Sequence, residues 1–477
     1  MDRQSGILLH ISSLPSNYGI GTLGREAYAF ADFLHEAGQK YWQLLPLGPT
    51  SYGDSPYQSF STFAGNPYFI DLDLLAEEGL LDRPALEAAD WGGDPRYVDY
   101  GKIYDSRFQV LRTAFRNGFP GDREAVAAFA KENLWLEDYA LYMAVKKHFG
   151  MKSWLEWPDE DIRLRKCGAL RRYREELRED IEFFSYLQYL FFKQWNGDLP
   201  IYVAMDSADV WSAPEFFQLG EGNVPTEVSG VPPDYFSADG QLWGNPLYDY
   251  DRMKKDGFGW WIRRVEGASK LFDVIRIDHF RGLESYWAVP YGETTAKNGR
   301  WRKGPGMDLV GTLTRWFPEL EIIAEDLGFL TPEVRKLLAD SGLPGMKVLE
   351  FAFDAREPSN YLPHTYDRHC VCYVGTHDNE TVMQWREQAD REDVYMARRY
   401  LGLNDAEGFN WGMIRGGMSS LADTFVVQMQ DCLGLGAEGR MNVPGKPGGN
   451  WQWRLLPGEA TPALARKLKY YAKIYGR

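Results

Sequence analysis

Several acidic residues of this chain stand at the ends of short apolar segments, where side chains from different strands can meet. They are Asp206, Asp209, Asp278, Glu325, Asp326 and Asp378, and His377 precedes the last of them. Carboxylates that converge on one place repel one another, so such an arrangement needs a functional gain. Two of them could cleave a glycosidic bond, because one attacks the anomeric carbon while the other protonates the leaving oxygen. Asp, Glu and His also bind Mg²⁺ or Mn²⁺, so a metal site is the rival interpretation.

Arg276 and Asp278 lie two residues apart in the apolar segment "DVIRIDHF". Side chains alternate across a strand, so these two charges share one face while Ile275 and Ile277 share the other. Buried charges are costly unless they are paired, and a structural salt bridge at a strand end is the plainest explanation. The guanidinium argues against a metal site, because a cation beside a carboxylate favours the permanently ionised form that a nucleophile needs.

Eight apolar segments are predicted as strands, and most are the near-continuous runs typical of parallel strands buried on both faces. They begin at Gly6, Tyr41, Leu199, Leu271, Glu321, Gly345, Cys370 and Gly439. Helical patterns lie between several of them. The segment Gly24–Gly38 carries one apolar stripe, and "TPEVRKLLADSG" opens with Thr331 as an N-cap. This alternation predicts an α/β fold, a (β/α)8 TIM barrel with its active site at the C-terminal ends of the strands.

A barrel of this kind needs ~250 residues, so a chain of 477 residues must carry large insertions. A mainly helical insertion subdomain is predicted over residues 50–198, after the second strand. A loop-rich insertion is predicted over residues 212–270, after the third strand. Its stretch "GVPPDYFSADGQLWGNPLYDY" has no helical period and indicates a long functional loop. We therefore predict a single catalytic barrel over residues 1–477 with two insertions.

The composition argues against several classes of partner. A net charge of -15 disfavours nucleic acid, because phosphate binding needs a basic surface. The four cysteines include no C-x-x-C pair, so a zinc site is not expected. Neither a signal peptide nor an apolar run of ~20 residues is present, so we expect no membrane partner and a cytoplasmic protein. The aromatic content of 15% suits the flat faces of sugar rings, although large cores also use aromatic residues.

Short motifs along the whole chain resemble those of one enzyme family. The motifs "RIDHF", "AEDLG" and "GTHDNE" are similar to conserved regions of the α-amylase clan. The stretches "SYGDSPYQSFSTFAGNPYFIDL", "PIYVAMDSADVW" and "GVPPDYFSADGQLWGNPLYDY" resemble the amylomaltases within that clan. Amylomaltases are the 4-α-glucanotransferases, or disproportionating enzymes, of glycoside hydrolase family 77. The similarity runs from "GILLHISSLPS" near the start to "VPGKPGGNWQWR" near the end.

This resemblance implies a retaining, covalent transfer of α-1,4-glucan segments between maltooligosaccharides, without a cofactor or a metal. By motif, it implies that Asp278 is the nucleophile and Glu325 the general acid/base. Asp378 would hold sugar hydroxyls in the transition state, and Arg276 would orient Asp278. The family lacks the C-terminal β-sandwich of amylases, and the helical tail "TPALARKLKYYAKIYG" of this chain agrees. We expect a monomer or a weak homodimer.

The resemblance also implies residues that bind the sugar. Tyr57, Asp206 and His377 would contact the ring on the donor side of the cleaved bond. The insertion loop would cover the acceptor side with aromatic side chains, and Tyr52 would contact a sugar further out. The loop residues are Tyr235, Phe236 and Trp243.

Some alternatives stay open from the sequence. Alternation sends Glu325 and Asp326 to opposite faces, and only the motif favours Glu325. His377 and Asp378 cannot both point inward from a regular strand, so that strand must end or bulge there. A plain α-1,4-glucan hydrolase would share all three acids, and a non-catalytic glucan-binding protein would keep the aromatic residues without needing the acids.

Overall fold

The chain forms two compact units, which are described separately below. The computed structural model describes residues 3–194, 202–233, 237–270, 272–328, 330–354, 356, 359–446 and 448–477. One unit comprises Met1–Leu45, Asp90–Tyr104 and Leu343–Arg477 and is called the first unit here. The second unit comprises Pro46–Ala89 and Asp105–Gly342.

Strands of the described residues form three sheets. The strands are β1 (Gln4–Leu8), β2 (Tyr41–Gln43), β3 (Glu227–Val231), β4 (Gln241–Pro246), β5 (Val274–Ile277), β6 (Ser285–Pro290), β7 (Arg300–Lys303), β8 (Glu321–Ala324), β9 (Gly345–Val348), β10 (Cys370–Tyr373) and β11 (Thr424–Gln428). The first unit contains a five-stranded sheet in the order β2-β1-β11-β10-β9. The second unit contains the two-stranded sheet β5-β8 and the four-stranded sheet β4-β3-β6-β7.

Helices follow most of these strands and fill the segment between β2 and β3. The α-helices are α1 (Arg25–Glu36), α2 (Leu72–Glu77), α3 (Arg83–Ala88), α4 (Tyr100–Glu132), α5 (Trp135–His148), α6 (Glu160–Arg163), α7 (Cys167–Glu176), α8 (Arg178–Gln194), α9 (Ala208–Ser212), α10 (Tyr250–Lys255), α11 (Gly259–Ser269), α12 (Met307–Trp316), α13 (Pro332–Ser341), α14 (Val382–Gln388), α15 (Arg391–Leu401), α16 (Phe409–Ser419), α17 (Met429–Leu433) and α18 (Pro462–Ile474). The prediction of an α/β fold is confirmed.

The sheet of the first unit is entirely parallel, as the buried apolar runs predicted. Four of its strands, β1, β2, β9 and β10, are confirmed predictions. The predicted strand at Gly439 is wrong, because the chain there forms a 3-10 turn over Ala437–Gly439 and then a loop. The strand that lies between β1 and β10 in the sheet is instead β11, "TFVVQ", which pairs with both of them. Its four residues Phe425–Gln428 are buried, whereas "GRMNVPG" offers only two apolar side chains before a proline.

In the second unit, β5 and β8 form a parallel pair and confirm two further predicted strands. The strand predicted at Leu199 falls partly on residues 195–201, which lie outside the described residues, and 202–206 form no strand. The loop-rich insertion predicted over residues 212–270 contains β3 and β4, which pair in antiparallel register with a β-bulge between Val228 and Gly230. Their alternation was hidden by the glycine and proline residues of this stretch.

Helix ends follow the expected capping chemistry. The Thr331 hydroxyl accepts a hydrogen bond from the Val334 amide at 3.4 Å and so caps α13. Gly342 ends the same helix with φ of 68°, a conformation that glycine adopts without strain. The helices α2 to α8 all lie within residues 72–194, and the limits 50–198 and 212–270 of the two insertions remain predictions.

After Gln428 the described residues form helices and turns and no further strand. None of the described helices is both long enough and apolar enough to cross a membrane.

Candidate active site

The pairing of β5 with β8 brings two of the predicted acids together in the second unit. Ile277 lies opposite Ala324 in this parallel register, and Asp278 and Glu325 each come one residue later. The ladder continues past the strands, because the Glu325 amide donates to the Ile277 carbonyl at 2.9 Å. Parallel neighbours end at the same edge of a sheet, so the two carboxyl groups emerge beside each other.

Arg276 and Asp278 form the ion pair that strand alternation predicted. The guanidinium of Arg276 donates to Asp278 Oδ1 at 2.8 Å. The Arg276 side chain is 15% exposed and that of Asp278 is 29% exposed, so the carboxylate is only partly covered. A carboxylate that is oriented by a guanidinium and still reaches solvent is suited to nucleophilic attack.

The pKa of Glu325 is raised by its surroundings. Burial and the negative charge of Asp278 raise the pKa of Glu325 to about 7, against the lowering effect of Arg276. Two main-chain amides also hold the ionised form: His279 N donates to Oε2 at 2.6 Å and Leu327 N donates to Oε1 at 2.9 Å. A carboxyl group that gains and loses a proton near neutral pH is suited to act as both acid and base.

The neighbouring acid Asp326 is buried, with 6% exposure. Glu325, by contrast, is partly exposed and electrostatically coupled to Asp278. This geometry favours Glu325 over Asp326 as the partner of Asp278.

His279 was not among the predicted site residues, although it lies in the quoted motif "RIDHF". It has φ of 46° and ψ of 49°, a left-handed conformation that is uncommon outside glycine. This turn directs its amide to Glu325. Burial, with a smaller effect of Arg281, lowers the pKa of His279 to about 3, so the imidazole is neutral. A main-chain amide involves no side-chain identity, which is why sequence reasoning missed it.

Trp243 of β4 packs against this turn. Its ring meets the His279 ring edge-on with centroids 4.8 Å apart, and it lies 6.2 Å from the ring of Tyr202. The structure therefore brings Trp243 together with Arg276, Asp278 and Glu325. Tyr235 and Phe236, the other two aromatic residues predicted for this loop, lie outside the described residues.

Asp206 is buried in a polar network of the second unit. Its Oδ2 accepts from the Lys146 ammonium at 2.5 Å, while its Oδ1 accepts from the Tyr142 hydroxyl at 2.6 Å and from Trp154 N at 3.2 Å. Lys146 lies in the last turn of α5, 60 residues away along the chain. Both carboxylate oxygens already have protein donors, which sequence reasoning did not anticipate.

Asp209, in the short helix α9 that follows Asp206, also accepts a hydrogen bond from the protein. Its Oδ2 accepts from the Thr62 amide at 2.7 Å, and burial raises its pKa to about 7. The hydrogen bond of Asp209 thus links α9 to the loop that begins after β2.

Tyr57 lies in that loop and is partly buried, and its amide donates to the Ser55 hydroxyl at 3.2 Å. The preceding residues turn sharply at Asp54, which has φ of 57°. Burial raises the pKa of Asp54 to about 6. Tyr52 belongs to a short 3-10 helix, Tyr52–Asp54, and its side chain is outside the described part of the structure.

In the first unit, His377 and Asp378 follow β10, which ends at Tyr373. The strand therefore ends before them, as expected if two successive side chains are to point the same way. His377 is buried and Asp378 is exposed. Asn442 Nδ2 donates to Asp378 Oδ1 at 2.6 Å, and His377 Nε2 lies 3.5 Å from the same oxygen. The ring of Trp451 packs against His377 with centroids 5.9 Å apart.

Two buried acids, Glu350 and Asp431, support the loop that carries His377 and Asp378. They follow β9 and β11, the two neighbours of β10 in the sheet. A Cβ at Gly375 would lie 2.9 Å from Glu350 Oε2, so only glycine lets the loop pass so close. Asp431 Oδ1 accepts from Val382 N at 2.8 Å at the start of α14.

Burial raises the pKa of Asp431 to about 7. The pKa of Glu350 is raised well above its ordinary value by burial and then by the charges of Asp431 and Glu380. Neither carboxylate oxygen of Glu350 has a hydrogen-bond partner among the described residues. The Glu350 carboxyl is therefore kept in its neutral form.

No group of three or more His, Cys, Asp or Glu side chains in the described ranges is arranged to hold a metal ion. Asp278 is instead bonded to Arg276, Asp206 to Lys146, and Glu325 to two main-chain amides.

Comparisons with known proteins agree on one family. The family model described as 4-alpha-glucanotransferase matches residues 9–459. The 4-alpha-glucanotransferase of Clostridium butyricum is 50% identical over 98% of this chain and 100% of its own length. That of Thermus thermophilus is 49% identical and is covered over 99% of its length. Among solved structures, the amylomaltase from Streptococcus agalactiae in complex with acarbose is 42% identical, with a TM-score of 0.97, and covers 100% of this chain and 99% of its own.

The neutral state of Glu350 leads to a prediction about stability. In the unfolded chain Glu350 loses its proton at a lower pH than in the folded protein, so the free energy of unfolding falls as pH rises above about 4.5. Glu350→Gln cannot ionise. It should therefore raise the melting temperature by about 2 °C or more near pH 8 and change it little near pH 4.5. Thermal unfolding at both pH values measures this difference.

The exposed Glu387 of α14 supplies the matched control, because Glu387→Gln makes the same chemical change without burial. An equal effect of Glu350→Gln at both pH values would contradict a buried neutral carboxyl.

Proposed function

The chain belongs to the 4-alpha-glucanotransferase family and is an enzyme of that class, and we propose that it acts by a retaining double displacement through a covalent glucosyl–Asp278 intermediate. The observation that carries this proposal is the Asp278–Glu325 pair, in which one carboxylate is bound by Arg276 and the other has a raised pKa. Two carboxyl groups in opposite protonation states are what a retaining glycosidase-type mechanism needs at its start.

In the first step, Asp278 attacks the anomeric carbon of the donor glucan. A bond from this carbon to the Asp278 carboxylate oxygen forms while its bond to the glycosidic oxygen breaks. Glu325 delivers its proton to the leaving oxygen, so the shortened glucan departs as an alcohol. The hydrogen bond from Arg276 orients Asp278 before the attack.

In the second step, Glu325 is the base. Esterification removes the charge of Asp278, and that charge was one of the causes of the raised pKa of Glu325. The pKa of Glu325 therefore falls in the intermediate, and its ionised form is held by the amides of His279 and Leu327. Glu325 takes the proton of an acceptor 4-hydroxyl, whose oxygen bonds to the anomeric carbon as Asp278 is released. Two inversions give net retention.

The sugar-binding roles are proposed from residue chemistry. Asp378 has an exposed carboxylate that can accept hydrogen bonds from sugar hydroxyls, and His377 beside it can contribute another contact. Tyr57 and Trp243 offer ring faces or edges to a pyranose ring. The Asp206 oxygens are already bonded to protein donors, so a sugar would use their remaining lone pairs.

We propose α-1,4-glucans and maltooligosaccharides as the substrates. The Streptococcus agalactiae amylomaltase in its acarbose complex supports binding of acarbose by this chain as well. Trp243, Tyr235 and Phe236 stay proposed contacts of the acceptor side, and Tyr52 stays a proposed contact of a sugar further out.

The first test of function is the product pattern from maltotriose alone. Transfer of glucosyl segments should yield glucose together with a ladder of longer maltooligosaccharides, because each released acceptor is extended in turn. Chromatography of the products over time measures both. Glucose and maltose without any longer product would identify a hydrolase, and an unchanged substrate would indicate glucan binding without catalysis.

The roles of the two acids are separated by an activated donor. The fluoride of α-maltosyl fluoride leaves with little protonation, so its first step should survive in Glu325→Gln and fail in Asp278→Asn. On maltotriose both variants should lose about 10²-fold or more. With its base removed, Glu325→Gln should also accumulate added mass on Asp278, which mass spectrometry of peptides can locate.

Asp326→Asn is the control for this experiment, because it changes the neighbouring acid in the same way. Added mass on Asp326, or a profile of Asp326→Asn that matches that of Glu325→Gln, would contradict the role of Glu325 as the general acid/base.

The raised pKa of Glu325 predicts the alkaline side of the pH profile. Protonated Glu325 is the acid of the first step, so kcat/KM for maltotriose should fall as pH rises through about 7. Initial rates from about pH 5 to pH 9 measure this limb. With α-maltosyl fluoride the same fall should be weak, because the leaving group needs little acid. Equal falls with both donors would assign the limb to another group.

A further inference from the structure

The segment Arg440–Asn442, which the sequence suggested as a strand, contacts the loop that carries Asp378. Asn442 Nδ2 donates to Asp378 Oδ1 at 2.6 Å. Arg440 NH2 donates to the main-chain carbonyl of Asp378 at 3.2 Å, and its NH1 donates to Glu380 Oε1 at 2.7 Å. The segment therefore holds both the backbone and the side chain of this one acidic residue.

These contacts matter because the Asp378 side chain is otherwise unrestrained. It is 48% exposed, whereas Asn442 is only 9% exposed and so has a fixed amide. The contact with Asn442 involves only Oδ1, and the nearby His377 Nε2 also approaches Oδ1. No described residue donates to Oδ2. One oxygen is thus fixed by the protein, and the other is presented for a ligand hydroxyl.

The chemical type of the donor is equally informative. An amide is neutral, so it orients the carboxylate without cancelling its charge. The nearby cation, Arg440, is directed to a main-chain carbonyl and to Glu380 instead. In the proposed function, the Asp378 carboxylate oriented in this way would face a transition state that develops positive charge at the sugar ring.

We propose that Asn442 is a positioning residue for Asp378, with Arg440 fixing the backbone of the same residue. The inference rests on the proposed function, in which Asp378 holds sugar hydroxyls. Asn442 acts through Asp378 alone, so its effect on catalysis must vanish when the Asp378 carboxylate is absent.

A double-mutant cycle on transfer from α-maltosyl fluoride to glucose tests this dependence. Asn442→Ala should lower kcat by about 10- to 100-fold, with a smaller change in KM, because Asp378 loses its productive orientation. Asp378→Ala should lower kcat further. The double variant should be no slower than Asp378→Ala, and each variant should melt close to the wild-type temperature. The activated donor keeps the slow variants measurable.

Asn442→Asp provides a second variant of nearly unchanged shape. It places two carboxylates at hydrogen-bond distance, so they repel when both are ionised and share a proton at lower pH. Its rate relative to wild type should therefore recover as pH falls from about 8 to about 5. A role in folding alone would give a deficit that does not depend on pH in this way.

Asn298→Ala is the matched control, because the Asn298 amide also donates to a carboxylate, Glu293 Oε2, at 3.0 Å. It should leave the transfer rate unchanged. An Asn442→Ala rate equal to this control, or independent losses that add in the double variant, would overturn the inference. Wild-type activity in Asp378→Ala would instead refute the role of Asp378 in the proposed function.

Discussion

The chemistry of the second unit depends on one guanidinium that lies beside two carboxyl groups. The parallel register of β5 and β8 places Asp278 and Glu325 side by side. Ionising two neighbouring carboxyl groups at once is costly, because their like charges repel. Arg276 is hydrogen-bonded to Asp278 at 2.8 Å. Burial and the charge of Asp278 raise the pKa of Glu325, against the lowering effect of Arg276. In the proposed mechanism, this asymmetrically placed cation lets two similar acids serve as a nucleophile and a proton donor.

Main-chain groups complete this division of roles. The left-handed turn at His279 brings its amide to Glu325, and the Leu327 amide holds the other oxygen of the same carboxyl. Amides favour the ionised form only moderately, so they do not override the effect of burial. They fix the position of both oxygens, which in the proposed mechanism would let one group donate a proton in one step and accept one in the next. Trp243 packs against the turn and helps to hold it in place.

Sequence reasoning succeeded where a local rule decides the outcome. Alternation along one strand predicted the Arg276–Asp278 pair, and the types of His377 and Asp378 required β10 to end before them. It failed where the deciding partner is distant in sequence. Lys146 lies in α5, and nothing near Asp206 in the sequence indicates that this lysine is bonded to its carboxylate.

The same reasoning explains the misplaced strand. The short apolar run in "GRMNVPG" predicts a strand, whereas β11 is defined by its pairing with β1 and β10. Pairing partners are set by tertiary structure and are invisible in a local apolar count. Because the chain at Asn442 forms a loop and not a strand, the side-chain amide of Asn442 can point towards Asp378 and donate to its Oδ1.

Burial alone does not mark a catalytic acid in this protein. Asp431 and Glu325 both have a pKa raised to about 7 by burial, yet Asp431 is fully buried and bonded to the start of α14. Glu350 is likewise neutral and enclosed. What distinguishes Glu325 is its partial exposure and its electrostatic coupling to a second acid, Asp278, that is itself partly exposed. In the proposed mechanism a raised pKa is useful only where the proton can reach a substrate and where a neighbouring charge changes during the reaction, and the Asp278–Glu325 pair would combine these conditions.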